Sequence, residues 1–190
     1  GSIKTIASYY RTTGIGGVER VLSSLCKIWR EMGYKVIVLT DFRDPNYEFD
    51  FPKGTSIVVL SDYYNTSNKN YAERGKALYS FIKEYKIDLT IYHDWLKEDM
   101  LWDELIVKSA GSAFIPYCHG VFTMDLHFQR VGLSNMVAPY LLSDAVVTLS
   151  ETNKSFWSNF NGNVYNIINP FTYNFEDWEK SDCETIFPSR

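Results

Sequence analysis

The stretch Gly14-Ile15-Gly16-Gly17-Val18-Glu19 is the part of this chain best suited to hold an anion. It follows an apolar run, Ile3 to Tyr10, that reads as a buried strand. It precedes a segment where Val18, Val21, Leu22, Leu25, Ile28, Trp29 and Met32 recur at helical spacing. Strand, glycine turn and helix start together expose backbone N–H groups at the positive end of a helix dipole, which suits a phosphate. Glycine belongs there because a side chain would hold the anion off the backbone. The plain alternative is a tight turn with no ligand.

Other chemistry-bearing residues are scattered. His93, His119 and His127 have no metal-ligand spacing with Cys26, Cys118 and Cys183. Cys118 and His119 are adjacent and so point to opposite faces of a strand. No metal and no resident cofactor is expected. Three widely spaced cysteines suggest no disulfide framework and point to the reducing cytosol.

The elements that must position these residues alternate. After the glycine turn and its helix, Tyr34 to Thr40 reads as a second strand, entered through Gly33 as a helix cap. Ser56 to Leu60 is a third, Ile87 to Tyr92 a fourth, and Ala113 to Cys118 a fifth. Asp144 to Leu149 and Val164 to Ile168 complete seven. Helices are expected over Tyr71 to Tyr85, from the fourth strand to about Ala110, and over Glu151 to Phe160 behind a Ser150 cap. Short apolar strands alternating with helices predict an α/β, Rossmann-like parallel sheet of about seven strands with helices on both faces. Ligands of such sheets bind at the carboxyl ends of the strands, where the glycine turn, Asp94, His119 and Asn169 all fall.

Bulk properties exclude several classes. The 190 residues can bury a sizeable core, and 22% charged residues is an ordinary globular value. A net charge of −4 without a dense Lys/Arg block argues against nucleic acid, whose phosphates need clustered cations. No signal peptide and no apolar run of bilayer length is present, so a cytoplasmic location is expected. The aromatic share of 16% suits the C–H faces of sugars as well as an ordinary core.

Two nucleotide-binding patterns fit poorly. A dinucleotide fingerprint would need a third glycine where Glu19 stands, although Asp41 closes the second strand where a ribose-binding carboxylate is expected. No Gly-Lys-Ser/Thr follows, which removes the P-loop. Instead, Gly16-Gly17-Val18-Glu19-Arg20 with Leu22, Leu25 and Gly33-Tyr34-Lys35-Val36 resembles the opening of family-4 glycosyltransferases. The likeness continues at His93-Asp94-Trp95, Pro116-Tyr117-Cys118-His119-Gly120, Asp144-Ala145-Val146-Val147 with Ser150-Glu151, and Ile167-Ile168-Asn169-Pro170.

The resemblance implies a GT-B fold, two Rossmann-like domains across a cleft, of which residues 1–172 would be the N-terminal, acceptor-side half. Residues 173–190 would be an acidic linker or truncated segment toward an absent C-terminal, donor-binding domain. It further implies a retaining, metal-independent transferase moving a hexose from a nucleotide-sugar to a glycan or lipid-linked acceptor in surface polysaccharide biosynthesis. Gly16 and Gly17 would meet the donor diphosphate. His119, with Gly120, would approach the sugar, against the alternative of a histidine capping a strand end. Asp94 would accept an acceptor hydroxyl bond and Trp95 would stack on the acceptor; equally, Asp94 caps a helix and Trp95 joins the core. The family's two glutamates belong to its other domain, and the similar spacing of Glu176 and Glu184 is read as coincidence. The isolated domain is expected to be inactive. A lipid-linked acceptor would bring it to the inner face of a membrane. Two rival readings are a non-catalytic subunit that joins a catalytic half in trans, and a nicotinamide-dependent oxidoreductase domain.

Overall fold

Strand β1 (Thr5–Tyr9) is buried at every position, as a strand covered on both faces must be. The computed structural model describes residues 2–60, 70–94, 97, 99–128 and 133–170. After β1 come α1 (Gly17–Glu31), β2 (Lys35–Thr40), β3 (Ser56–Val59), α2 (Tyr71–Tyr85) and β4 (Leu89–Tyr92). Then follow α3 (Met100–Ser109), β5 (Ala113–Cys118), α4 (Phe122–Phe128), α5 (Leu133–Leu142), β6 (Val146–Thr148), α6 (Glu151–Trp157) and β7 (Val164–Asn166). The strands form one seven-stranded sheet in the order β3-β2-β1-β4-β5-β6-β7, with every pairing parallel. This is the sheet the sequence predicts, with most strands trimmed at their ends.

The alternation of side chains assigns each helix to a face. Ile6, Val36, Val38, Leu89, Ile91, Tyr117 and Val147 meet Val21, Leu22, Leu25 and Cys26 of α1. Ala7, Tyr9, Ile37, Leu39, Tyr92, Phe114 and Cys118 face the other way, against Leu78, Phe81 and Ile82 of α2, Met100 and Val107 of α3, Tyr140 of α5 and Trp157 of α6. The inward stripe of α1 is narrower than its spacing suggests. Ile28 lies on the margin and Met32 is the C-cap residue beyond the last turn, and both are exposed. Gly33 follows with φ of +91°, the left-handed region that glycine enters at no steric cost.

Topology places the ligand edge. The chain lays down β1, β2 and β3 in one direction, and α2 then carries it back to β4 on the other side of β1. The strand order therefore reverses between β1 and β4, and the crevice of such a sheet lies outside their carboxyl ends. Across the same seam at the opposite end, the Asp88 carboxylate accepts from the Lys4 and Thr5 amides at 2.8 and 2.9 Å.

Candidate active site

Period-two alternation continues past the strand ends and sorts the polar residues into two groups. Ser8 shares the α1 face with Ile6, His93 with Ile91, and His119 with Tyr117. Ser8 Oγ lies 2.9 Å from His93 Nε2, and His93 Nδ1 lies 2.8 Å from His119 Nε2. His93 is fully buried, and burial together with the neighbouring His119 holds its pKa well below the usual histidine range. His119 is half-buried, and burial pushes its pKa down to about 4. Both rings are therefore neutral near pH 7. Tyr117 stacks on each, at 5.2 Å from His93 and 4.7 Å from His119. Its hydroxyl donates toward Ile167 O and Asn169 Oδ1 at 3.3 and 3.2 Å, tying the stack to the segment that leaves β7.

At the same edge the glycine turn opens α1. A Cβ on Gly17 would meet nothing within 4 Å, so the backbone there stands open. Gly16, the N-cap residue, is different: a Cβ on it would strike the Glu19 carboxyl. Glu19 is buried, and burial raises its pKa against the opposing effects of its own amide and of Arg11. The Glu19 carboxyl thus folds back over the helix start and bonds its own amide. Arg11, between β1 and the turn, was not singled out by sequence reasoning. Its side chain is 42% exposed, and the guanidinium pairs with the fully buried Asp94 carboxylate. The only signal for it in the sequence was a cation beside the glycines.

Asp94 is not the N-cap of α3, because that helix begins at Met100 behind Asp99. Its Oδ2 is buried without a hydrogen-bond partner among the described residues, and burial raises its pKa against the pull of Arg11. Trp95 lies outside the described residues, as do the tail 173–190 and its Glu176 and Glu184. Gly120 is buried and held: its carbonyl accepts from Asn153 Nδ2 at 2.7 Å. His119, Gly16, Gly17, Asp94 and Gly120 thus share one sheet edge, with Ser8, His93 and Arg11 as additions. Among the described residues no cluster of three His, Cys, Asp or Glu could hold a metal ion. No helix among them is long and apolar enough to cross a membrane.

The second group sits beneath α2 and α3 on the opposite face. Arg74 donates from Nε to Asp41 at 2.7 Å and from Nη2 to Asp103 at 3.0 Å, while Lys97 donates to Asp41 and to the Tyr9 hydroxyl. Burial pushes the Asp41 carboxyl up, but Lys97 and Arg74 outweigh it and hold it below the usual range. Asp41 has no exposed surface. The carboxylate at the end of β2 is therefore sealed in an ion network, which removes the ribose ligand that a nicotinamide-binding domain needs.

Comparison with known proteins agrees with this geometry. The chain is 25% identical to the α-1,3/1,6-mannosyltransferase ALG2 of Saccharomyces cerevisiae, over 97% of this chain and 41% of that protein. Among solved structures it superposes on Anabaena HepE, crystallised with UDP-glucose, with a TM-score of 0.68 and 15% identity, over 96% of this chain and 48% of HepE. WaaG, a glycosyltransferase involved in lipopolysaccharide biosynthesis, gives a TM-score of 0.64 at 13% identity, over 95% of this chain and 50% of WaaG. At such identities the superpositions establish the shared Rossmann-like fold, and this chain spans about half the length of both structures. The family model described as Glycosyltransferase Family 4 matches residues 15–166. That span takes in the glycine turn, both histidines of the stack and the last strand: the chain belongs to glycosyltransferase family 4.

Proposed function

We propose that this chain is the N-terminal, acceptor-side domain of a retaining glycosyltransferase. It would act on a nucleotide-sugar donor and a glycan or lipid-linked acceptor, in surface polysaccharide assembly. The observation that carries the reading is the convergence of an open helix N-terminus at Gly17 with the neutral His119 at the β1/β4 switch edge. A leaving diphosphate gains negative charge in the transition state, and preorganised N–H groups at a helix end stabilise that change. Arg11 adds a half-exposed cation beside the turn. Asp94, fully buried, is kept on the acceptor side as the carboxylate that fixes that guanidinium. Trp95 is retained as the acceptor-stacking residue and Gly120 as the backbone beside the sugar.

The domain assignment is 1–172, with 173–190 leading toward a C-terminal donor-binding half. Ile167 and Ile168, exposed where the chain leaves β7, suit a surface that such a half covers. A catalytic half supplied in trans would cover them equally well. No metal is required in this reading, and the setting is cytoplasmic or peripheral at the inner face of a membrane.

The test uses the complete two-domain enzyme with a panel of UDP- and GDP-linked hexoses. Gly17→Val should raise the donor KM by about tenfold or more, since lost anion contacts of this kind are worth about 1–3 kcal/mol. Stability should be unaffected, because the new side chain meets open space. His119→Ala should lower kcat with the fold intact. Unchanged kinetics in both variants would sink the reading.

A further inference from the structure

We propose that Ser8 and His93 are positioning residues that hold His119 in one neutral tautomer, its proton on Nδ1, so that it meets the sugar as a hydrogen-bond donor and not as a base. The inference rests on the reading of His119 as the sugar-facing residue, and deepens it.

The argument is a proton count along a buried chain. Ser8 has no exposed surface, and its Oγ makes one hydrogen bond among the described residues, to His93 Nε2. If the serine only accepted there, its own proton would be stranded in the interior, which costs more than the bond returns. Ser8 therefore donates, and His93 Nε2 accepts. A neutral imidazole with an accepting Nε2 carries its proton on Nδ1. That Nδ1–H faces His119 Nε2 at 2.8 Å and donates into it. His119 Nε2 is then an acceptor, which places the His119 proton on Nδ1. This atom has no partner among the described residues, and the half-buried ring leaves it to the crevice. The opposite direction would require His93 to donate to Ser8, stranding the serine proton.

Burial and stacking support the same outcome. Both rings are held neutral, so neither can donate from both nitrogens. Tyr117 lies nearly parallel to the His119 ring, at 16°, and fixes its plane, so tautomer and direction are set together. The hydroxyl that decides the pattern lies on β1, two bonds of the relay away from any substrate.

Long-range 1H–15N correlation spectra of the 15N-histidine-labelled chain near pH 7 test this directly. Three histidines are present, so single substitutions assign every signal. The expected result is an Nδ1–H pattern for both His93 and His119. An Nε2–H pattern for His119, or averaging between the two forms, would overturn the proposal. Ser8→Ala removes the donor, and the single-tautomer signature of His119 should be lost; a His119 pattern unchanged by that substitution would also overturn it. Should Ser8→Ala not fold, the wild-type spectrum still decides the tautomer. These spectra need no sugar donor, so their failure leaves the transferase reading standing. Conversely, a fixed Nδ1–H form with undiminished turnover of His119→Ala would remove the sugar-facing role and leave the relay.

Discussion

Arg74 is enclosed entirely by protein and yet carries a full charge. Asp41 and Asp103 neutralise it, and Lys97 beside them brings the cluster to two positive and two negative groups. Removing one member leaves the others uncompensated in a low-dielectric interior. Arg74→Met should therefore cost about 3–5 kcal/mol in urea unfolding. A loss below about 1 kcal/mol would show that the carboxylates find other partners. Glu104 presents the opposite case: it is fully buried on α3, and neither carboxylate oxygen has a hydrogen-bond partner among the described residues. Burial pushes its pKa up to about 8, from an ordinary value of 4.5. Between these values the folded chain keeps a proton that the unfolded chain has released. Stability falls as pH rises through that window and levels off above it. Glu104→Gln keeps the shape without the ionisation, so the difference in Tm between pH 5 and pH 8 should shrink; an unchanged difference would refute the raised pKa. The glycines and His119 could be singled out from the sequence because their local setting is informative. Ser8, Arg11 and the sealed state of Asp41 could not, because each depends on a partner 33 to 85 residues away.

At the scale of elements the sequence was most legible where local chemistry sets the boundary. The spacing of Leu78, Phe81, Ile82 and Tyr85 predicts a helix over Tyr71–Tyr85, and the structure has those bounds, with Asn70 as the capping side chain. Ser150 caps α6 by accepting from the Asn153 amide at 3.2 Å, as expected of a serine before an amphipathic run. Ser150→Ala should cost about 1 kcal/mol in thermal or urea unfolding. No loss would mean that water serves the helix end as well. Legibility failed where tertiary contacts override local preference. The start of α3 at Met100 follows the docking of Lys97 into the ion network, which no periodicity encodes. The buried position of Glu19 on α1 likewise comes from its carboxyl folding back over Gly16.

For the whole molecule, the same alternation of strand residues does two jobs. On the α2/α3 face it buries charges that hold the scaffold together, and on the α1 face it brings neutral histidines to an open edge. The seven-stranded parallel sheet and its ligand-binding edge followed from the alternation of apolar runs and helical spacings, since parallel strands demand covered faces and crossovers; the order of the strands within it did not. Where the proposed donor-binding half lies is a question of mass. The reading above predicts a native protein of about twice 22.0 kDa, measurable by intact mass spectrometry. A native mass close to 22.0 kDa would transfer the donor-binding half to a separate subunit.

The Asp88 clamp across β1 and β4 has a consequence for how the chain is made. β1 leaves the ribosome before β2 and β4, and a single helical crossover lets it pair with β2. Its other side waits for β4, because the residues joined by the clamp are 84 apart in sequence. Closing so long a loop is slow, and until it closes the future centre of the sheet is an unpaired edge. Such an edge is a template for intermolecular pairing, so the nascent chain is most prone to aggregate before residue 88 emerges. The arrival of Asp88, which secures the amides of Lys4 and Thr5, marks the end of that exposure.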